Sequence, residues 1–254
     1  FLMWVVTGIS TGLTQGFSIQ LSQYYGAKDF ENLRKSLAHS YRLTAFIAAG
    51  VLILSQLFAS LVLTGLHTPS NIIGMSLLYL RIIFCGIPAT AAYNMFASAL
   101  RAMGNSKTPL TAMIIASVLN VSLDILFVAG FGWGVAGAAI ATVIAQSFSA
   151  VYCFLILRRI DIVHLTRADF MPASGMNARL MKLGIPVVFQ NIIIGVGGLV
   201  VQYVINGYGF LFVAGFTATN KLYGLLEMAA ISYGYAIVTY VGQNLGAGKI
   251  DRIR

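Results

Sequence analysis

Seven apolar runs, each about as long as a bilayer is thick, constrain this chain more than any other feature of its sequence. A helix needs about 20 predominantly apolar residues to cross the hydrocarbon core of a membrane. Transmembrane strands do not fit, because the runs are too long and lack the alternation of a barrel. The sequence therefore predicts an all-α integral membrane protein, a polytopic helical bundle. The runs cover residues 1–24, 40–63, 71–100, 109–128, 135–157, 180–204 and 213–241.

The composition agrees with a membrane protein. Hydrophobic residues make up 58% of the chain and charged residues 9%, whereas a soluble domain carries roughly 25% charged residues. The net charge of +9 would suggest nucleic-acid binding in a soluble protein, but here it reflects Lys and Arg retained on one side of a bilayer. Cys85 and Cys153 lie in apolar runs without metal-ligand spacing, which indicates a packing role. We expect the lipid bilayer as a partner, and no cofactor, nucleic acid or obligate protein partner.

The basic residues lie in alternate turns. Fourteen of the 16 Lys and Arg fall in or beside the turns near residues 26–42, 101–107, 158–182 and 249–254, and the intervening turns contain none. The positive-inside rule places these fourteen residues in the cytoplasm. We therefore expect a multi-pass protein of a prokaryotic cell membrane, with its charged turns on the cytoplasmic side.

Asp124 lies inside the fourth apolar run, where an ionisable side chain costs about 2.5–3.5 kcal/mol on insertion scales. Asn120 precedes it by four residues, so an amide and a carboxylate share one helical face. Such a pair can hold a proton or a small cation such as Na⁺ inside a bundle. Asn94 and Thr142, in the neighbouring runs, either complete the coordination or bond to nearby backbone as lone polar residues.

Other polar residues in the runs are candidates for a substrate cavity. Glu227 lies near the middle of its run, and it either faces a cavity between two lobes or pairs with another helix. Pro88 and Pro186 each follow Gly-Ile inside a run, where a proline kinks a helix, and they act either as hinges or as static kinks. The remaining substrate-cavity candidates are Gln146, Gln190 and Asn220.

Residues 23–34 resemble residues 243–254 at a spacing of 220, with Gln, Gly, Ala and the last Arg identical. Six crossings separate the copies, so the repeat is parallel, as in one class of transporter. Chance similarity between two short Gly-Ala turns is the alternative. The repeat predicts twelve helices in two pseudo-symmetric six-helix lobes, with one helix before residue 1 and four after residue 254. The predicted parts are an N-terminal lobe (1–158, helices 2–6), a cytoplasmic linker (159–179) and the start of a C-terminal lobe (180–254, helices 7–8).

The chain resembles the multidrug and toxic compound extrusion (MATE) family of cation-coupled exporters. This resemblance implies two six-helix lobes around a cavity that opens alternately to either side. It also implies a secondary active antiporter that exports organic, cationic or drug-like compounds in exchange for H⁺ or Na⁺. The resemblance is carried by the segments at residues 100–109 (LRAMGNSKTP), 119–124 (LNVSLD), 134–146, 182–186 (KLGIP) and 242–252.

The resemblance also implies roles for individual residues. In the prokaryotic branch with a cation site in the N-terminal lobe, an Asn-x-x-x-Asp pair matches Asn120 and Asp124. An Asn of the preceding helix and a Thr of the following helix match Asn94 and Thr142. That branch also uses an Asp in its first helix, which this sequence does not contain. Another branch carries an acidic residue in its seventh helix, but residues 186–201 have none, which favours the N-terminal site.

Two other classes of protein fit the sequence less well. A lipid-linked precursor flippase of a related two-lobed family would need a strongly cationic central cavity, and only Arg81 and Lys221 lie outside the basic turns. A membrane-embedded enzyme would need a cluster of His, Asp or Glu at catalytic spacing. The three histidines are far apart in the sequence, so we do not expect an enzyme.

Overall fold

The computed structural model of the chain describes residues 2–65, 70–208 and 210–253, and in these residues it contains helices but no strands. This confirms the all-α prediction. A π-helical segment, Ile125–Gly130, extends α5, and 3₁₀ turns occur at Asp161–Val163, Arg167–Phe170 and Ile250–Arg252. The α-helices are α1 (Leu2–Gly26), α2 (Phe30–Gly65), α3 (Ser70–Cys85), α4 (Ile87–Ala102), α5 (Lys107–Asp124), α6 (Gly134–Leu157), α7 (Met176–Asn206) and α8 (Phe210–Gly246).

Within the described residues, five helices are long and apolar enough to cross a membrane, or six if the bent pair α3 and α4 is one span. The remaining predicted run, α1, is long enough but is not among these spans. α1 lies against α2, α4, α7 and α8, so its polar side chains face protein instead of lipid. Its buried polar residues are Ser10, Thr14, Ser18, Gln20 and Ser22.

The predicted run at 71–100 is broken into two helices. α3 and α4 meet at Gly86 with a bend of 41°. Pro88 lies in the first turn of α4, where its missing N–H costs nothing. Pro186 lies inside α7, which continues through it. Hinge motion at either proline stays a prediction.

The turns rich in Lys and Arg meet at one end of the bundle, which we call the basic end. There Gln243 Nε2 of α8 donates to the carbonyl of Ala102 at the end of α4, at 2.7 Å. Arg179 of α7 donates to the hydroxyl of Tyr24 near the end of α1, at 3.2 Å. The ends of α1, α4 and α8 and the start of α7 are therefore held together at the basic end.

The connection between α6 and α7 packs against α2. Buried Asp169 lies 3.9 Å from Arg34 Nε, and the ring of buried His39 contacts the carbonyl of Met171 at 3.1 Å and the side-chain oxygen of Asn177 at 2.7 Å. α7 begins at Met176, so its first four residues fall in the predicted linker. The segment before α7 is therefore a packed element on the end of α2.

The two copies of the sequence repeat adopt the same turn. The N–H of Ala27 donates to the carbonyl of Gln23 at 2.9 Å, and the N–H of Ala247 donates to that of Gln243 at 3.0 Å. Lys28 and Gly248, which are also 220 residues apart, both have positive φ, at 58° and 70°. This equivalence favours a true repeat over chance similarity.

The residues that follow the Gly-Ala turn of the first copy do not form a separate surface element. Asp29 accepts a hydrogen bond from the N–H of Asn32 at 3.1 Å, as a residue at a helix N-cap does. α2 begins at the next residue, Phe30, and runs without a break to Gly65. Residues 30–40 are therefore the first turns of a transmembrane helix. In the second copy, the described residues that follow the Gly-Ala turn form the 3₁₀ turn Ile250–Arg252.

α1 and α8 cross at these repeated turns with their backbones in contact. A Cβ atom on Gly26 would lie 2.0 Å from the carbonyl oxygen of Gln243, and one on Gly246 would lie 1.9 Å from that of Gln23. No side chain fits at such distances, so both positions require glycine. We call this reciprocal contact the glycine crossing, and it joins the two repeat units at the basic end.

Candidate functional site

A polar cavity of about 320 Å³ lies between α4, α5 and α6, within the predicted N-terminal lobe. We call it the N-lobe cavity. It brings together three of the four residues predicted for cation binding, which come from three different helices. Its polar lining residues are Thr90, Tyr93, Asn94, Ser117, Asn120, Thr142, Gln146 and Ser149.

Asn120 and Thr142 are in direct contact across this cavity. The side-chain amide of Asn120 donates to the Thr142 hydroxyl at 3.5 Å, and that hydroxyl donates to the carbonyl of Ala138 at 3.0 Å. The backbone bond fixes the direction of the hydroxyl proton, so the oxygen lone pairs of Thr142 face α5. Asn94 lines the same cavity from α4. The cavity therefore offers neutral oxygen and amide groups to a small polar ligand.

Asp124 lies one turn beyond Asn120, at the last residue of α5, and is not among the residues that line the N-lobe cavity. Its side chain is partly buried. Within the described residues its Oδ1 atom is buried without a hydrogen-bond partner, and neither of the two ion pairs there involves Asp124. A buried polar atom without a partner costs about 1–3 kcal/mol, and more when it is charged. Binding a proton or a cation would remove that cost.

The π-helical segment Ile125–Gly130 begins directly after Asp124, and nothing in the sequence signals it. A π segment inside an α-helix changes the register of the side chains that follow, and such segments are frequent at functional sites. Here the segment packs against the start of α6: the rings of Phe127 and Trp133 stack at 5.0 Å, and Gly137 lies close to Phe127. Asp124 thus lies at the junction between two helical geometries.

The sequence interpretation missed Thr90 and Tyr93 of the N-lobe cavity and grouped Gln146 with the substrate residues. The Thr90 hydroxyl donates to the side-chain oxygen of Gln146, which links α4 to α6. Tyr93 Oη is buried without a partner among the described residues. A signal for the first pair was present, because Thr90 lies four residues before Asn94 and Gln146 lies four residues after Thr142. Such spacing puts each pair on one helical face.

A second cavity, of about 370 Å³, lies between α1, α7 and α8, and we call it the inter-lobe cavity. It contains Gln190 and Glu227, two of the four predicted substrate residues. Gln146 lines the N-lobe cavity instead, and Asn220 is exposed on α8 and lines neither cavity. The other polar lining residues of the inter-lobe cavity are Thr7, Thr11, Gln15, Asn191 and Tyr235.

Within the described residues, no group of three or more His, Cys, Asp and Glu side chains is close enough to hold a metal ion. His39 is buried at the basic end against the connection to α7, and His164 is exposed on that connection. His67 lies outside the described residues. The candidate sites are therefore the two polar cavities and the carboxyl group of Asp124.

Comparison with known proteins identifies the family. Residues 1–126 and 186–254 match the family model described as MatE. This chain belongs to the MatE family. The match includes the Asn120–Asp124 segment, the repeated turns and Glu227. MatE membership together with the long apolar helices makes the chain a multi-pass membrane protein.

A curated relative supports this assignment, and a solved structure has the same fold. The MatE chain is 31% identical over 252 residues to the probable multidrug resistance protein YpnP of Bacillus subtilis, an alignment that covers 99% of this chain and 56% of the relative. It is 24% identical to the multidrug export protein MepA of Staphylococcus saprophyticus, over 96% of this chain and 54% of the relative. A crystal structure of MATE in the bent conformation superposes with a TM-score of 0.92 at 21% identity, over 99% of this chain and 57% of that one. The chain thus spans about half the length of the proteins it matches.

Proposed function

We propose that the intact protein is a secondary active antiporter that exports organic compounds, cationic or drug-like, in exchange for H⁺ or Na⁺. The observation that carries this proposal is the buried, unpartnered Oδ1 atom of Asp124 beside a cavity of amide and hydroxyl groups. The MatE family match and the relatives described as multidrug resistance and export proteins support it.

The coupling mechanism follows from the charge of Asp124. When its carboxylate is ionised and empty, the protein favours the conformation that hydrates it. A proton or Na⁺ neutralises the carboxylate and stabilises a different packing of the N-terminal lobe. If the basic end faces the cytoplasm, as the positive-inside rule predicts, the cation enters from the opposite end and moves inward. That movement drives the substrate outward.

The residues around Asp124 suit either coupling ion. A carboxylate binds a proton directly, and Na⁺ would take oxygen ligands from Asp124, Asn120, Asn94 and Thr142. These groups come from α4, α5 and α6, so a bound ion would draw three helices together. This rearrangement would in turn change how the rest of the lobe packs, so ion binding would affect the whole lobe.

The inter-lobe cavity is the proposed substrate site. It places Glu227 among the amides of Gln15 and Gln190 and the ring of Tyr235. Glu227 makes no ion pair with any described residue. A carboxylate without a counter-ion beside an aromatic ring recognises organic cations. α1 comes from one predicted lobe and α7 and α8 from the other, so movement between the lobes would change the shape of this site.

The flippase alternative receives less support from this cavity. A lipid-linked phosphate needs cationic partners, and neither polar cavity is lined by Lys or Arg. Arg81 and Lys221 are exposed and line neither cavity. A lining carboxylate at Glu227 would repel a phosphate.

Dye efflux from proteoliposomes tests the antiporter proposal. The intact protein should expel a fluorescent organic cation when an inward proton or sodium gradient is imposed. Asp124→Asn should reduce gradient-driven efflux about tenfold or more, because coupling free energies are typically 1–3 kcal/mol. Asp161→Asn, at an exposed carboxylate between α6 and α7, is the matched control and should transport normally. Wild-type efflux rates in Asp124→Asn would overturn the proposal.

A further inference from the structure

A long groove runs along α2, α4 and α6, away from both polar cavities. Its inner part is an apolar cavity of about 350 Å³ lined by α2, α4 and Phe154 of α6. Its outer part, about 270 Å³, lies at the basic end, beneath the connection between α6 and α7. Tyr41 and Phe154 line both parts, so the two cavities are adjacent and share these residues as their boundary. We call the combined feature the α2–α6 groove.

Small side chains keep the inner part of the groove open. Ala45, Ala48 and Ala49 of α2 face Ala92 of α4, and larger residues close the ends. Pro88, at the bend between α3 and α4, lines the end far from the basic end. From Tyr41 to Leu52 the groove follows α2 for eleven residues, or about 16 Å at 1.5 Å per residue. One leaflet of hydrocarbon is about 15 Å thick, so the inner part matches the length of one acyl chain.

The outer part of the groove carries positive charge. Arg158 and His164 line it, and the Arg158 guanidinium lies over the Phe154 ring, 5.6 Å from its centroid. Arg158 forms no ion pair with any described residue. Asp161 is the acidic residue nearest to it in the sequence, and it is exposed without an ion pair. An anion at this mouth would therefore meet an unpaired guanidinium.

One buried polar atom lies between the charged mouth and the apolar part. Thr44 is 8% exposed and lines the groove one turn from Tyr41. Its Oγ1 atom has no hydrogen-bond partner among the described residues, although a helical Thr can bond to its own backbone. This leaves an unused donor in the inner part of the groove, one turn from Tyr41, which both parts share.

We propose that the α2–α6 groove binds an anionic glycerophospholipid from the membrane leaflet at the basic end. The phosphate contacts Arg158 and His164, an ester carbonyl accepts a hydrogen bond from Thr44, and one acyl chain follows the alanine-lined part towards Pro88. The order of charge, single donor and apolar channel matches the order of chemical groups along such a lipid. A zwitterionic lipid with the same acyl chains would fill the channel but bind more weakly, because its headgroup carries no net negative charge to attract Arg158.

Native mass spectrometry of the intact protein tests this site. The delipidated protein is mixed with phosphatidylglycerol or with phosphatidylcholine of the same acyl chains, and bound lipids are counted. We expect the wild type to retain phosphatidylglycerol in preference to phosphatidylcholine. Arg158→Gln should reduce phosphatidylglycerol retention several-fold and leave phosphatidylcholine unchanged. The matched control is Arg159→Gln, because Arg159 is the next residue, has the same charge and is exposed but does not line the groove.

A second pair of variants tests the acyl-chain part. Ala49→Phe fills the channel from an exposed lining position and should reduce retention of both lipids. Val118→Phe, at an exposed position on α5 that lines no cavity described above, should behave as the wild type. Equal loss in Arg158→Gln and Arg159→Gln would show diffuse attraction and overturn the proposal. Unchanged retention in both Arg158→Gln and Ala49→Phe would also overturn it. The readout does not depend on transport, so it stands apart from the antiporter proposal.

Discussion

At the scale of single residues, the two candidate sites differ in how their polar groups are satisfied. Asn120 and Thr142 contact each other in the N-lobe cavity, whereas Asp124, one turn away, has a buried oxygen without a partner among the residues that the structure describes. Glu227 lies in the inter-lobe cavity among amides, without an ion pair in the described part of the chain. In both sites a carboxylate lies near neutral polar groups, and this arrangement is suited to an exchangeable cation.

Asn120→Ala should weaken binding of the coupling ion. A hydrogen bond or ligand to a charged group contributes about 1.5–3 kcal/mol, so the cation concentration for half-maximal efflux should rise about tenfold. Ser122→Ala is the matched control, because Ser122 is exposed on the same helix and bonds only to the carbonyl of Val118. Efflux measured across a series of sodium concentrations and pH values checks this. An unchanged cation dependence in Asn120→Ala would remove this residue from the site.

Glu227→Gln should weaken binding of a cationic substrate and leave coupling to the driving ion intact. Removing the charge should raise the half-saturating concentration of a cationic dye, while a neutral dye of similar size should be expelled as before. Glu31→Gln, which removes an exposed carboxylate paired with Lys35 at the basic end, is the control. Parallel efflux assays with the two dyes measure the difference. Equal loss for both dyes would indicate a structural role for Glu227.

At the scale of helices, close backbone contacts decide the packing. α1 meets α8 at the glycine crossing, and it meets α7 where a Cβ atom on Gly16 would lie 2.3 Å from the Cα atom of Gly184. Small residues allow such approach in membrane bundles, where van der Waals packing stabilises helix pairs. α1 is therefore the central helix of the described bundle, and this position explains its buried polar side chains.

Gly246→Ala should destabilise the glycine crossing. The added methyl group would lie 1.9 Å from the carbonyl oxygen of Gln23, so one backbone must move. Overpacking of this kind costs about 1–3 kcal/mol, and the thermal unfolding temperature of the purified protein should fall. Gly224→Ala on the same helix has open space around it and should be neutral or slightly stabilising. Equal unfolding temperatures for the two variants would show that the crossing does not require glycine.

At the scale of the whole molecule, the basic end is closed by contacts between the predicted lobes. The guanidinium of Arg101 at the end of α4 lies 4.6 Å from the ring centroid of Tyr235 on α8. Gln243 binds the carbonyl of Ala102 nearby, and the glycine crossing completes the contact. In the proposed antiporter, alternating access would require these contacts to separate, so they would belong to the conformation that is closed at this end.

Tyr235→Leu should favour opening of the basic end. A cation–π contact contributes about 0.5–2 kcal/mol, so its loss shifts a two-state equilibrium several-fold. Tyr235→Phe keeps the ring and should behave as the wild type. The measurement is the rate at which a membrane-impermeant thiol reagent labels a cysteine introduced at Thr11, a lining residue of the inter-lobe cavity, from the basic side. Equal labelling rates in the two variants would exclude this contact as part of the closure.

Helix positions could largely be predicted from the sequence, but the cavities could not, and the cation site at Asp124 and Asn120 stays a prediction. Lengths of apolar runs located the helices, and polar residues inside those runs pointed to Asp124 and Asn120. Pro88 pointed to the break at Gly86, whereas the π segment after Asp124 has no such signal, because it depends on how the end of α5 packs against α6. Gln146 was grouped with the substrate residues, and only the packing of α4 on α6 shows that it lines the N-lobe cavity.

The sequence by itself determined the class of fold, since a chain this apolar must satisfy its backbone polar groups internally and can do so in lipid as a bundle of helices. It also determined which turns share an end, because each crossing of the membrane reverses direction. The tertiary structure alone decided which polar side chains meet. Residues from three helices come together only when helix rotation and crossing geometry are fixed, and contacts such as those of Gly26, Gly184 and Gly246 set that geometry.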